Sequence, residues 1–434
     1  MKPYFRYFIM AGLCFSMHLS LAQKSKVERK IVQTIDKHND QYIDLLKKSV
    51  SINSGTMNFD GVREVGKLYK QELDALGFET TLTSGQAFNR AGHLVAKHMG
   101  KKGPKILLIG HLDTVFEPEN PFQEYKMLND SIMNGPGVAD MKGGDVIIIA
   151  AMRALKEAGV LDDMSITIVM TGDEEKSGSP LELSKKELVD AAEWADIALG
   201  FENADGNPKT IVVSRRGSLS WSLEVKGNAA HSSQIFTDKV GTGSIYETSR
   251  ILNEFYTQLS GEHNLTFNPG FIIGGTQVKM DEDGGGGTAH GKTNVVSEST
   301  IVRGDIRAVS LEQLEKAQKV MQDIVSKNYP KTSAVLTFAE NGYPPLGLTD
   351  GNNQLLKVYD QVSKDLGFGP VDPVNPRNAG AADISFTAGY VDMAVDGLGL
   401  SGADDHTVNE TGNLNMVPVQ AKRAAVLMYR LSRD

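Results

Sequence analysis

Three short apolar runs decide what this chain can fold into. Residues 105–109 (KILLI), 166–170 (ITIVM) and 197–201 (IALGF) are too brief for buried helices and lack the polar–apolar alternation of a half-exposed strand. Strands that read this way are buried on both faces, as in parallel sheets covered by helices. Residues 27–50, 60–76 and 146–158 supply the covering: each is apolar at helical spacing. The pattern predicts an α/β fold, a mostly parallel central sheet flanked by helices. Ligands of open α/β sheets gather beyond the carboxyl ends of the strands. His111, Glu175 and Glu202 each follow one of the three runs within a few residues.

A chain of 434 residues is too long for one ordinary core, so a second domain is expected. The character changes near residue 214. Residues 218–225 (SLSWSLEV) alternate small polar with apolar, then a helix is predicted over 242–259, strands at 271–277 and 300–306, a helix at 311–327 and a strand at 334–338. Strand, helix, strand, strand, helix, strand is a small α+β (ferredoxin-like) unit. We place it at 215–344, inserted between the two parts of the α/β domain, 23–214 and 345–434, the latter opening on a helix at 352–366. The glycine-rich residues 281–291 have Ala289 as their sole apolar side chain and read as a mobile surface loop.

Residues 1–22 read as an export signal: Lys2 and Arg6, then a mostly apolar stretch at 8–21, then small residues suited to cleavage. The stretch is shorter than the ~20 residues of a membrane-spanning helix. A periplasmic or secreted protein is expected, with no membrane contact once the signal is removed. Cys14, the single cysteine, lies inside this segment, so the mature chain has neither disulfides nor thiolate ligands. A net charge of −9 without a basic block argues against nucleic acid or an anionic membrane as a partner.

Five separated segments each offer a hard-metal ligand: His111 in GHLDT, Asp140 in GPGVADMKGG, Glu175 in TGDEEKSGS, Glu202 in LGFENADG and His406 in GADDHTVNE. Two imidazoles and three carboxylates suit a pair of Zn²⁺ ions, and Co²⁺ or Mn²⁺ equally. With Asp140 as the bridge, the remaining four divide into two pairs, His111 with Glu202 and Glu175 with His406. Asp113, two residues past His111, is placed to orient the imidazole through its other ring nitrogen. Glu174 is adjacent to Glu175, so the two side chains diverge, and one can ligate while the other serves as general base. The set implies a two-metal hydrolase.

These motifs, in this order, resemble the M20 metallopeptidases, most closely the glutamate carboxypeptidase branch, across nearly the whole mature chain. The resemblance implies a catalytic domain with an inserted lid domain that pairs two subunits, and a cis peptide at Asp140–Met141. It also implies the ligand and base roles given above, with Asp113 as the active-site aspartate. His231 in KGNAAHSS resembles a lid histidine that reaches the partner subunit's active site. Asn294 in TNVV resembles an asparagine that holds the oxyanion, and Arg307 in GDIR an arginine near the substrate carboxylate. Plainer readings stand beside these: a strand-end histidine, a turn asparagine, and an arginine paired with Asp305.

One position departs from the pattern. Where that branch has a substrate-binding arginine in a Gly-Arg-Pro turn, this chain has Gly342-Tyr343-Pro344. A phenol cannot replace the bidentate fork of a guanidinium on a carboxylate. Arg377, in NPRNAGAAD, is either its substitute or a surface arginine. The expected activity is an exopeptidase of carboxypeptidase type that acts on a small peptide beside a free carboxylate. An N-acyl amino acid deacylase or aminopeptidase on the same scaffold is the alternative. A non-catalytic metal- or ligand-binding protein is the reading from another class, and the spare acid Glu174 argues against it.

Overall fold

The computed structural model describes residues 25–281 and 285–433. The predicted export signal and Cys14 lie outside them. Six strands form the main sheet, in the order Glu79–Leu82, Leu94–His98, Met164–Thr171, Lys102–His111, Ile197–Gly200, Met393–Val395. Lys102–His111 runs parallel to both of its neighbours, and Leu94–His98 is antiparallel to the strands beside it. The apolar runs are buried on both faces because alternate side chains serve different layers. Ile106 and Leu108 join the large core under the helices Lys26–Val50, Gly143–Ala158 and Met416–Leu431. Leu107 and Ile109 point the other way, toward Leu188 and Ala191 of helix Lys186–Trp194.

Helix Gly143–Ala158 is apolar almost all round, and it is wedged between Lys26–Val50 and Met416–Leu431. Its opening glycines are steric necessities. A β-carbon on Gly144 would lie 2.0 Å from the carbonyl oxygen of Phe201. Close approach there brings the helix start against the end of strand Ile197–Gly200, and with it Asp140 toward Glu202.

The inserted unit has its own core, built from Trp221, Leu223, Val225, Ile251, Phe255, Val302, Ile306 and Met321 among others. Its four-stranded antiparallel sheet runs Thr266–Gly275, Ser299–Arg307, Leu219–Lys226, Ser333–Phe338, with helices Ser244–Leu259 and Leu311–Val325 packed against it. The first strand starts earlier than the hydrophobic pattern predicts. It runs through Pro269, where the register with its partner shifts, one of the few places a sheet tolerates proline.

The reading of 281–291 as a loop needs correction. Gly287–His290 pairs antiparallel with Gln277–Met280 as a two-stranded ribbon. Backbone hydrogen bonds build such a ribbon, and an exposed one needs no apolar side chain, so hydrophobic patterning passes over it. No helix among the described residues is long and apolar enough to cross a membrane.

Candidate metal centre

The five candidate ligands converge on the carboxyl edge of the main sheet. His111 ends strand Lys102–His111, Glu175 and Glu202 follow Met164–Thr171 and Ile197–Gly200, and Asp140 sits with extended backbone at a kink just before helix Gly143–Ala158. The Asp140–Met141 peptide is cis. His406 comes from a loop in which it and Asp404 adopt left-handed backbone.

Asp140 lies at the centre. Its Oδ1 is 3.1 Å from His111 Nε2, and its Oδ2 is 3.0 Å from His406 Nε2. Glu202 Oε1 is 3.4 Å from the first imidazole and Glu175 Oε2 is 3.1 Å from the second. Two groups result, His111–Asp140–Glu202 and Asp140–Glu175–His406, each with ligand atoms within 4.8 Å of one another and Asp140 common to both. This is the division read from the sequence.

The electrostatics of the cluster suit cations. Burial, then the charge of Asp140, push the carboxyls of Glu175 and Glu202 up to about 7. Asp140 resists the same burial because both imidazoles hydrogen-bond it, and it stays below the usual carboxylate range. Asp140 has another carboxylate within 4.8 Å in each of the two groups. Like charges held that closely repel and call for positive charge between them. Glu175 Oε1 is buried without any hydrogen-bond partner. An orphaned acceptor aimed into a nitrogen and oxygen donor set fits two divalent ions.

The surroundings hold this geometry. Asp113, fully buried, does more than the sequence foretold. His111 Nδ1 is 3.0 Å from its carbonyl oxygen and 3.5 Å from Oδ1. Its carboxylate also accepts from Thr56 Oγ1 at 2.7 Å and from the backbone N–H groups of Glu174 and Glu175 at 3.1 Å each. Burial opposes its charge, yet the His111 and Thr56 hydrogen bonds hold its carboxyl below the ordinary range. Asp113 thereby ties the first ligand to the turn that carries the third.

Two further carboxylates escaped the sequence reading. Glu410, fully buried, accepts from the N–H groups of Gly137, Ala139 and Asp140 at 3.0–3.2 Å and so shapes the turn around the central ligand. Asp396 accepts from the Glu202 N–H at 3.1 Å and pairs with Arg215 at 2.8 Å. Their partners are backbone amides and a distant arginine, which leave no mark on local spacing. Glu410 stands four residues after His406 in DDHTVNE, and that nearness was the available clue.

Glu174 points its carboxylate toward no protein hydrogen-bond partner among the described residues. Burial pushes its carboxyl well above the ordinary value; His111 opposes this, while Asp383, Glu202 and Glu175 add to it.

The remaining predicted residues are not drawn into the cluster. His231 is exposed, with Nδ1 2.9 Å from Ser233 Oγ, and a β-bridge to Val295 sets it beside exposed Asn294. Arg307 Nε pairs with Asp305 at 3.0 Å, the plainer of its two readings. Arg377 is exposed, and its carbonyl accepts from Arg216, whose guanidinium it and Arg307 crowd electrostatically. No hydrogen bond or ion pair joins these four to the five ligands among the described residues. Tyr343, in the expected arginine position, turns its hydroxyl toward the Glu174 turn, 2.8 Å from the Glu174 carbonyl oxygen.

The sequence model of peptidase family M20/M25/M40 matches residues 107–430. The chain belongs to this family. Carboxypeptidase G2 of Pseudomonas sp. (strain RS-16) is 24% identical over 433 residues, 98% of this chain and 97% of the relative. A succinyl-diaminopimelate desuccinylase of Rickettsia bellii (strain RML369-C) is 24% identical over 84% of this chain and 90% of its own length. Among solved structures, aminopeptidase PepT of Bacillus cereus shares the fold with a TM-score of 0.70 at 19% identity, over 91% of this chain and 98% of its own. The YXEP protein of Bacillus subtilis, a dinuclear metal binding peptidase from the M20 family, aligns with a TM-score of 0.64 at 14% identity, over 92% and 99% of the two chains. An α/β domain with a mostly parallel sheet is thus common to this M20 chain and its structural relatives, and the chain is a metal-dependent hydrolase of peptidase type.

Proposed function

We propose that this M20 hydrolase is an exported, dinuclear exopeptidase of carboxypeptidase type, cleaving an amide bond beside a free carboxylate. The observation that carries the reading is the placement of Asp140 between two imidazoles, one on each carboxylate oxygen. His111 and Glu202 would hold one ion, Glu175 and His406 the other. Two divalent cations, Zn²⁺ on this reading, would supply Lewis acidity to the scissile carbonyl and the attacking water. Glu174 would accept a proton from the attacking water and return it to the leaving nitrogen. Burial raises its proton affinity, in the direction a group that takes up and returns a proton requires. Asp113 fixes the His111 ring and the Glu174–Glu175 backbone together.

His231 and Asn294, exposed side by side on the inserted domain, would complete the site of a second subunit and stabilise the oxyanion there. Arg307 and Arg377 would receive the substrate carboxylate. Ile245, Tyr246 and Tyr256 are exposed on helix Ser244–Leu259, which supports pairing of the inserted domains. Sedimentation at micromolar concentration should give a dimer; a monomer that retains full activity would sink the trans role of His231. Export rests on the first 22 residues, and N-terminal sequencing of the protein from cell extracts tests it.

The desuccinylase relatives favour a second reading, hydrolysis of an N-acyl amino acid or a related amide. A panel of dipeptides, C-terminal glutamate conjugates and acyl-amino acids separates the two. Glu174→Gln should keep both metal equivalents and lose about 10²–10⁴-fold in kcat. Activity within a few-fold of wild type would remove Glu174 as the base.

A further inference from the structure

Two chain crossings join the inserted domain to the α/β domain, and they run side by side. Arg215 and Leu346 exchange backbone hydrogen bonds, both at 3.0 Å, and Ser218 and Tyr343 do the same at 3.0 and 2.9 Å. A change in the placement of the inserted domain therefore carries the Tyr343 backbone with it.

The Tyr343 side chain reaches from this ladder into the α/β domain. Its ring packs edge-on against Phe386, with centroids 4.9 Å apart, and the Lys185 ammonium lies 5.4 Å from its centroid. Lys185 is itself buried and paired with Asp173 at 3.3 Å and Asp383 at 2.9 Å, so the ring sits against a fixed charge network. Around the hydroxyl stand the Glu174 carbonyl oxygen at 2.8 Å, Ser177 Oγ at 2.9 Å and Asp383 Oδ1 at 3.4 Å. A phenol has one proton to give. The shortest contact assigns it to Glu174, with Ser177 donating to the phenol oxygen.

Glu174 is thus gripped at both ends of its backbone. Its N–H is held by Asp113, next to the first candidate ligand, and its carbonyl by Tyr343, from the domain crossing. Its carboxylate has no hydrogen-bond partner among the described residues, so these two backbone contacts are the hydrogen bonds that constrain the residue. We propose that Tyr343 is a positioning residue that couples the placement of the inserted domain to the aim of the Glu174 carboxylate. This rests on Glu174 as the base. A misplacement of about 1 Å at a reacting group costs on the order of 100-fold in rate, and the Tyr343 hydroxyl is one of the two contacts that hold the Glu174 backbone.

Tyr343→Phe keeps the ring packing and deletes the hydroxyl. Its kcat should fall about 10–100-fold, with KM within about twofold and metal content unchanged, since the hydroxyl bonds Glu174, Ser177 and Asp383 and none of the five candidate ligands. In a Glu174→Gln background the same change should cost nothing more, because there is no base left to aim. Ser177→Ala leaves the phenol proton on Glu174 and should stay close to wild type in kcat. Any of three results overturns the inference: a raised KM at constant kcat in Tyr343→Phe, an undiminished loss in the Glu174→Gln background, or an equal loss in Ser177→Ala. If Glu174→Gln alone is slow while Tyr343→Phe is as fast as wild type, the coupling is refuted and the base assignment stands. Full activity of Glu174→Gln refutes both.

Discussion

At the scale of single residues, the centre is a set of carboxylates sorted by their partners. Those facing imidazoles, Asp140, Glu175 and Glu202, are free to meet cations. Those facing backbone amides, Asp113, Glu410 and Asp396, hold the loops that carry them. Glu410 is the most exacting of the second kind, since three N–H groups around Asp140 depend on it. Glu410→Ala should destabilise the protein by about 3 kcal/mol, from three lost hydrogen bonds and buried donors left unpaired, and should weaken metal retention. Thermal unfolding with metal titration checks this; wild-type stability together with wild-type metal affinity would contradict it. The sequence disclosed the first kind because their residue types and strand-end positions repeat a recognisable chemistry. It concealed Glu410 and Asp396 because a carboxylate that serves backbone amides resembles any other acid. Arg307 pairs with Asp305 within this chain, a contact that their closeness in GDIR already offered.

At the scale of elements, the parallel strands were legible because burial on both faces removes alternation, and little else in a sequence looks like that. Helix Met416–Leu431 was not, although it is among the most buried. Arg423 interrupts its apolar face, yet it is buried against Tyr359 and Phe368, and its Nη1 donates to Pro208 O and Gln420 Oε1. A tertiary partner thus hides a core helix from a periodicity scan. The same helix clamps the start of the described chain: Arg430 bonds Glu28 at 2.9 Å and Asp365 at 2.7 Å, while Glu28 completes a capping box with Ser25. Burial opposes the Glu28 charge, but the Ser25 N–H and Arg430 hold its carboxyl below 4.5. A depressed folded pKa means stability present above the unfolded value and lost as pH falls through the folded one. Glu28→Gln should therefore lower Tm at pH 7, and the gap to wild type should close in strongly acid solution. A gap that is constant with pH would show that the charge contributes nothing.

At the scale of the whole molecule, two cores meet along a short ladder, and the candidate centre lies on the sheet edge of the larger one. The two-core plan was readable from the change of pattern near residue 214, whereas the ribbon Gln277–Met280 with Gly287–His290 was not, since its side chains bury so little. Cations that bind only the folded α/β domain stabilise it by mass action, by about 4 kcal/mol at a thousandfold excess over Kd. Chelation should lower the Tm by several degrees and abolish hydrolysis, both restored by Zn²⁺. A melting curve indifferent to the chelator would mean that the acid cluster is balanced in some other way.

Anomalous diffraction at the zinc edge, on crystals saturated with Zn²⁺, addresses the arrangement most directly. The account predicts two peaks, ~3.5–4 Å apart, flanking the Asp140 carboxylate, one beside His111 and Glu202 and the other beside Glu175 and His406. A single peak, or two that do not share Asp140, would contradict it.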